Sequence, residues 1–300
     1  MKEVEAMKAP ILKTVKLPNG ETLAYREKKG GDKTLVLLHG NLSSSVNWDL
    51  LFEHLNDEFT LYALDLRGCG DSTHSEPATS VEDFAKDVKE FADALSLKRF
   101  HLSGWSFGAA VAMRMAIDFP EYVKRLVLLS SASVQGHPIR KRRLFGLVRS
   151  KDYIESLEGM ESFVKPLKKI QGKTNPITLK RVLNTTFYTK DKPHDRRYEN
   201  YIEALKKQQN IAEIHYALSR FNISNQHNGL VQGTDEAAKI HQPTLFIHGQ
   251  SDKVVPPSIA HENQKAIGEN AKVEILKLSG HSPLVDEIRN VRDLYNDFLR

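Results

Sequence analysis

An apolar run with β character, Phe100-His101-Leu102-Ser103, leads straight into Gly104-Trp105-Ser106-Phe107-Gly108, and Ala109, Ala110 and Ala112 follow at helix spacing. That order reads as a strand, a very tight turn and a helix. Such a turn puts Ser106 in a strained backbone conformation and projects its hydroxyl beyond the sheet edge. Gly104 and Gly108 suit it because a Cβ at either place collides with a neighbouring strand or helix. On its own, a Gly-x-Ser-x-Gly string also describes a glycine-rich loop with an ordinary serine. The strand before it and the helix after it favour a nucleophile.

The rest of the chain keeps alternating strand and helix signals. Residues 11–18 and 21–26 read as a hairpin around Asn19-Gly20. Leu35-Val36-Leu37-Leu38 is apolar without interruption, as in a strand buried on both faces. A short helix at 48–55, a strand at 60–64, a helix at 80–96 capped by Ser80 and a strand at 125–129 follow. After Ser133 the strand signals stop, leaving amphipathic helical stretches broken by Pro166, Pro176 and Pro193. They resume with a strand at 244–248, a helix at 257–267, a strand at 273–278 and a last helix at 283–299. This predicts an α/β chain with a doubly wound, mostly parallel eight-stranded sheet built from residues 1–133 and 240–300. A helical cap, residues 134–239, is inserted over the carboxyl edge of the sheet.

Composition narrows the setting. The apolar fraction of 40% and charged fraction of 27% are those of a soluble globular protein. No apolar run reaches the 18 residues of a membrane span, and Met1–Lys8 has no signal-peptide core. The single cysteine, Cys69, forms no internal disulfide and suits a reducing compartment, so a cytoplasmic protein is expected. No His/Cys cluster has metal-ligand spacing, and neither metal nor cofactor is expected. The net charge is +5, yet residues 134–220 hold 19 Lys and Arg against 9 Asp and Glu. That excess reads either as a solvated helical face or as attraction to an anionic granule or membrane surface through Arg140-Lys141-Arg142-Arg143. No nucleic-acid motif accompanies it, so nucleic acid is not an expected partner.

A serine hydroxyl needs a base, usually His, oriented in turn by a carboxylate. In this architecture both follow the serine, carboxylate first, each on a loop after a strand. Asp252, in Gly249-Gln250-Ser251-Asp252, and His281, in Ser279-Gly280-His281, occupy such places. Asp252 also reads as a helix cap, and Asp286 and Glu287 are the alternative acids. None of the other eleven histidines is as suitably placed. The oxyanion needs preformed donors. The Phe107 N–H, opening the helix after Ser106, is one; Asn41, after His39-Gly40, is the other, with Leu42 in reserve. His39 is expected to organise its loop. Leu42, Trp105, Phe145 and Val254 are expected at the substrate pocket. Leu147, Phe163, Leu167, Phe187, Tyr188, Tyr201, Tyr216 and Phe221 are further candidates for its wall or for the cap's own core.

Leu38-His39-Gly40-Asn41, Asp65-Leu66-Arg67-Gly68-Cys69-Gly70-Asp71-Ser72, Gly104-Trp105-Ser106-Phe107-Gly108, Gly249-Gln250-Ser251-Asp252 and Gly280-His281 together resemble the α/β-hydrolase superfamily. The resemblance covers about 11–133 and 240–299. It implies Ser106, His281 and Asp252 as triad and Asn41 and Phe107 as oxyanion donors. The serines beside Asn41, Trp48, Trp105 and Leu128-Leu129-Ser130-Ser131-Ala132-Ser133 further resemble intracellular short-chain polyhydroxyalkanoate (polyhydroxybutyrate) depolymerases. That implies cleavage of esters between 3-hydroxybutyrate units in storage granules. A general carboxylesterase, a lactonase, a C–C hydrolase or a cofactor-free perhydrolase would use the same triad, and a non-catalytic ligand receptor is the remote alternative. Dehalogenases and epoxide hydrolases need Asp where Ser106 stands.

Overall fold

The computed structural model describes residues 10–143, 148–172 and 177–300, with side chains throughout except at 142, 143, 148 and 149. Its strands are β1 (Ile11–Lys16), β2 (Thr22–Lys28), β3 (Lys33–Leu38), β4 (Phe59–Leu64), β5 (Phe100–Trp105), β6 (Val123–Leu129), β7 (Arg140–Arg143), β8 (Val148–Tyr153), β9 (Thr244–Gly249) and β10 (Ala271–Leu276). Its helices are α1 (Asp49–His54), α2 (Val81–Ala94), α3 (Phe107–Asp118), α4 (Leu157–Gln171), α5 (Ile177–Thr186), α6 (Asp195–Lys207), α7 (Ile211–Arg220), α8 (Ser258–Ile267), α9 (Pro283–Asp286) and α10 (Ile288–Phe298).

Eight strands form one sheet in the order β1-β2-β4-β3-β5-β6-β9-β10. β1 and β2 run antiparallel to their neighbours, and every pairing from β4 to β10 is parallel. The mostly parallel, doubly wound sheet expected from the sequence is the one observed. Strand order reverses at β3 and β5, and the carboxyl ends flanking such a reversal leave a crevice where open α/β sheets bind ligands.

The period of two along each strand divides the core. Val36 and Leu38 face α2, α3 and α8, in a cluster with Phe84, Val88, Phe91, Val111 and Ile267. Leu35 and Leu37 face the other way, with Leu51, Phe52, Val291 and Tyr295 of α1 and α10. α2 starts in a capping box: Ser80 Oγ accepts from Asp83 N, and the Asp83 carboxylate accepts from Ser80 N at 2.9 Å. α3 lies very close to the sheet. A Cβ on Gly104 would stand 2.2 Å from Gly108 O, and one on Gly108 2.3 Å from Leu38 O.

The described residues of 134–239 add no strand to this sheet. They carry α4–α7 and, contrary to the purely helical expectation, an antiparallel hairpin of β7 and β8. Arg140-Lys141-Arg142-Arg143 lacks the apolar alternation that signals a strand. Backbone pairing makes it one, with the Arg140 guanidinium 4.4 Å over the Tyr153 ring and donating to Lys151 O at 2.8 Å. Tyr198, Tyr201, Ile202 and Leu205 of α6 join the second core cluster, so the insert is packed onto the main body. The last helix is split at Glu287, whose φ of −145° and ψ of 47° interrupt it. β10 begins and ends two residues earlier than its apolar pattern suggested. Among the described residues no helix is long and apolar enough to cross a membrane.

Candidate active site

Ser106 occupies the single residue between β5 and α3, at φ 55° and ψ −113°. A non-glycine residue in that region costs about 1–3 kcal/mol, which the surroundings must offset. They do so by pinning its backbone. Ser106 N donates to Leu129 O at 2.9 Å, and Ser106 O accepts from Ala109 N at 3.0 Å and Ala132 N at 3.3 Å. Gly40 lies against the serine, since a Cβ there would come within 3.0 Å of Ser106 Cβ.

Asp252 and His281 follow β9 and β10, neighbours at the sheet edge. His281 Nδ1 donates to Asp252 Oδ2 at 2.8 Å. The other carboxylate oxygen accepts from the N–H groups of Val254 and Val255 at 2.8 and 2.9 Å. The sequence reading missed a second imidazole here. His248, at the buried end of β9, brings Nε2 to 3.2 Å from Asp252 Oδ2 and 3.0 Å from Val255 O. Carbonyl oxygens only accept, so that nitrogen carries the proton. Burial alone pushes the Asp252 carboxyl up, but hydrogen bonds from His248, His281 and Val255 N outweigh it and hold the group well below the ordinary carboxylate range.

The His281 loop is held from three sides. Trp105 Nε1 donates to His281 O at 2.8 Å, Gly280 N to Asp286 Oδ2 at 2.8 Å, and Ser282 N to Phe187 O at 3.0 Å. Asp286 also accepts from the N–H groups of Thr189, Lys190 and Asp191. Glu287 accepts from Leu278 N and Asn290 Nδ2. Both alternative acids therefore carry backbone and loop contacts, while Asp252 carries the imidazole.

The loop after β3 is equally fixed. His39 is fully buried; its Nδ1 donates to Gly40 O at 2.7 Å and its Nε2 accepts from Leu66 N at 3.0 Å, an organising role. Burial pushes the His39 pKa down, which favours this neutral form. Among the described residues the N–H groups of Asn41 and Phe107 have no acceptor. Leu42 N, the reserve donor, is committed to Asn41 Oδ1 and Gln208 Oε1.

Ser106 and His281 line one cavity of about 360 Å³ with Asn41, Leu42, Phe187 and Val254. Among the described residues the Ser106 hydroxyl makes no hydrogen bond; nucleophile–base contacts often close only around a substrate. Trp105 does not line the cavity. Its buried ring sits behind two residues that do, 5.8 Å from Phe187 and 5.8 Å from His281. Phe145 and Leu147 lie outside the described residues. Phe163 and Leu167 border a neighbouring cavity that meets the first at His215. Tyr188, Tyr201 and Phe221 are core, and Tyr216 packs on the small cluster of Ile139, Ile154 and Ile211. The insert's actual lining includes His137, His215 and Leu218, none of which stands in a motif. Of the basic run, Arg140 and Lys141 are exposed.

This sheet, with a serine elbow at its strand-order reversal and a His–Asp pair on the loops beyond, is the arrangement of one fold family. A model of the alpha/beta hydrolase fold matches residues 33–288, and the chain belongs to that family. It is 27% identical over 261 residues to a pimeloyl-[acyl-carrier protein] methyl ester esterase of Vibrio vulnificus, covering 87% of this chain and 92% of the relative. It is 24% identical over 273 residues to a carboxylesterase of Bacillus subtilis, covering 89% and 80%. An esterase structure from Exiguobacterium antarcticum superposes with a TM-score of 0.74 at 19% identity, covering 96% of this chain and 99% of that one. At that identity the last shows the fold alone.

Proposed function

We propose that this chain hydrolyses carboxylic esters through an acyl-enzyme, with Ser106 as nucleophile, His281 as base and Asp252 as its orienting acid. The observation that carries this reading is the convergence of Ser106, at φ 55°, and the Asp252-bound His281 on one cavity. With Nδ1–H given to Asp252, Nε2 of His281 holds the lone pair that takes the Ser106 proton as Oγ attacks the ester carbonyl. The N–H groups of Asn41 and Phe107 receive the oxyanion. His281 then hands its proton to the leaving alcohol, and water, activated by the same imidazole, releases the acid.

We read residues 134–239 as a cap that shapes the substrate cavity. Leu42, Phe187, Leu218, Val254 and Ile259 give it an apolar lining suited to an acyl or alkyl group. A cavity of this size suits a small soluble ester better than a strand of polyhydroxybutyrate. The names of the two relatives, both esterases, support ester hydrolysis. The buried lone thiol of Cys69, its pKa pushed well up by burial, suits a cytoplasmic setting.

The test is turnover of a series of p-nitrophenyl esters beside amorphous polyhydroxybutyrate and a homoserine lactone. This reading expects p-nitrophenyl butyrate or a near homologue to be cleaved fastest. Release of 3-hydroxybutyrate at comparable rates would move the assignment to the depolymerases. Turnover of the lactone alone would move it to the lactonases.

A further inference from the structure

On the side of the cavity facing the cap, a set of buried amides grips the loop after β3. Leu42 sits at φ 59°, a left-handed conformation rare for a side chain of its size. Its N–H is shared between Gln208 Oε1 at 2.8 Å and Asn41 Oδ1 at 3.0 Å. Gln208 Nε2 donates in turn to that Asn41 oxygen at 2.7 Å and to Asn210 Oδ1 at 3.1 Å. With Oδ1 of Asn41 so engaged, Nδ2 is the donor toward His215 Nε2, 3.3 Å away. His215 is therefore held neutral, its proton on Nδ1.

Gln208 cannot easily move. Gln171 Nε2 donates to Gln208 O at 2.7 Å and Leu205 O at 2.8 Å, and Asn210 Nδ2 donates to Arg67 O at 2.5 Å. Only 4% of the Gln208 surface is exposed. Asn41 thus has both ends of its side chain tied, and the next N–H is tied as well. The peptide carrying Asn41 N–H has little freedom to turn away from the cavity.

We propose that Gln208 and His215, both contributed by the cap, are positioning residues for the reaction. They hold the Asn41–Leu42 loop in the conformation that presents Asn41 N–H to the oxyanion. This rests on the oxyanion assignment above. It makes cap placement and chemistry one coupled system: a loosened cap residue lowers turnover although it touches neither nucleophile nor base.

Gln208→Leu removes both hydrogen-bonding functions at nearly constant shape. Gln208→Glu keeps an acceptor for Leu42 N–H and loses the donor to Asn41. Losing one oxyanion donor outright costs on the order of 10²–10³ in kcat, so a misplaced donor should cost about 10–100-fold. For p-nitrophenyl butyrate, Gln208→Leu is expected to lower kcat by that factor with KM little changed. Affinity for an alkyl boronic acid, whose serine adduct mimics the oxyanion, should fall in parallel, and Gln208→Glu, which sets a buried carboxylate against Asn41 Oδ1 and Asn210 Oδ1, should lose at least as much. His215→Phe is the independent arm, with a smaller loss in the same two quantities. Thermal melting confirms which variants are folded. Folded variants with wild-type kcat and boronate affinity overturn the inference even if Ser106→Ala is inactive. An active Ser106→Ala instead overturns the reading beneath it.

Discussion

His281 Nδ1 lies 2.8 Å from Asp252 Oδ2 across 29 residues of chain, and in the proposed mechanism that contact decides which ring nitrogen is free to act as base. Asp252→Asn can offer an N–H where an acceptor is needed, which favours the wrong tautomer. We expect kcat to fall by about 10³–10⁴-fold with the fold intact, measured as initial rates on p-nitrophenyl butyrate. A near-normal rate would remove Asp252 from the mechanism.

His248 shares the same carboxylate oxygen at 3.2 Å. Without its N–H, Asp252 is less stabilised as an anion and interacts more strongly with the His281 imidazolium. His248→Phe should therefore raise the pH of the acid limb of kcat/KM and lower the plateau several-fold, since a hydrogen bond to a charged group contributes about 1.5–3 kcal/mol. The pH–rate profile reads both. An unmoved limb would mean that Val255 O is the only partner that matters to His248.

Gly108 admits no side chain. A Cβ would stand 2.3 Å from Leu38 O and 2.6 Å from His39 O, which are backbone atoms that cannot swing aside. Gly108→Ala should lose about 1–3 kcal/mol or more of stability, and activity with it, as α3 is pushed off the sheet. Urea denaturation measures the loss. An unchanged midpoint would show that α3 can shift at little cost.

Acid should destabilise the chain through buried imidazoles. His101 is 1% exposed, neither ring nitrogen has a partner among the described residues, and burial, with Lys124 and Arg125 nearby, pushes its pKa down to about 4. Burial pushes His215 down to about 4 as well. In the unfolded chain both sit near 6.5. Between those values the unfolded state binds protons that the folded state does not, so this stability is present above about pH 6.5 and is lost as pH falls toward 4. Asp252, held low, adds its own loss only below its ordinary value of 3.8. His101→Phe should flatten the decline between pH 7 and 5, at up to about 1.4 kcal/mol per pH unit. Parallel declines in the two proteins would clear His101.

What the sequence made legible was local. Leu35–Leu38, buried on both faces, and the glycines around Ser106 state strand, elbow and helix within a dozen residues. Asp252 and His281 each follow a strand that announces itself. Less legible was anything requiring a face or a distant partner. Trp105 adjoins Ser106 in sequence but is buried behind Phe187 and His281, so it braces His281 rather than lining the cavity. Arg140–Arg143 is a strand only because β8 pairs with it. Gln208 and His215 reach Leu42 and Asn41 from 166 and 174 residues away, inside a stretch, 134–239, whose sequence carries no motif. His248 could have been found from its place at the end of the strand leading to Asp252.

The most direct test is to treat the folded protein with a fluorophosphonate and locate the adduct by peptide mass spectrometry. Stoichiometric labelling is expected on the peptide containing Ser106, with loss of esterase activity in step with it and neither label nor turnover in Ser106→Ala. Labelling at another residue, or ester turnover that survives Ser106→Ala, would contradict Ser106 as the nucleophile.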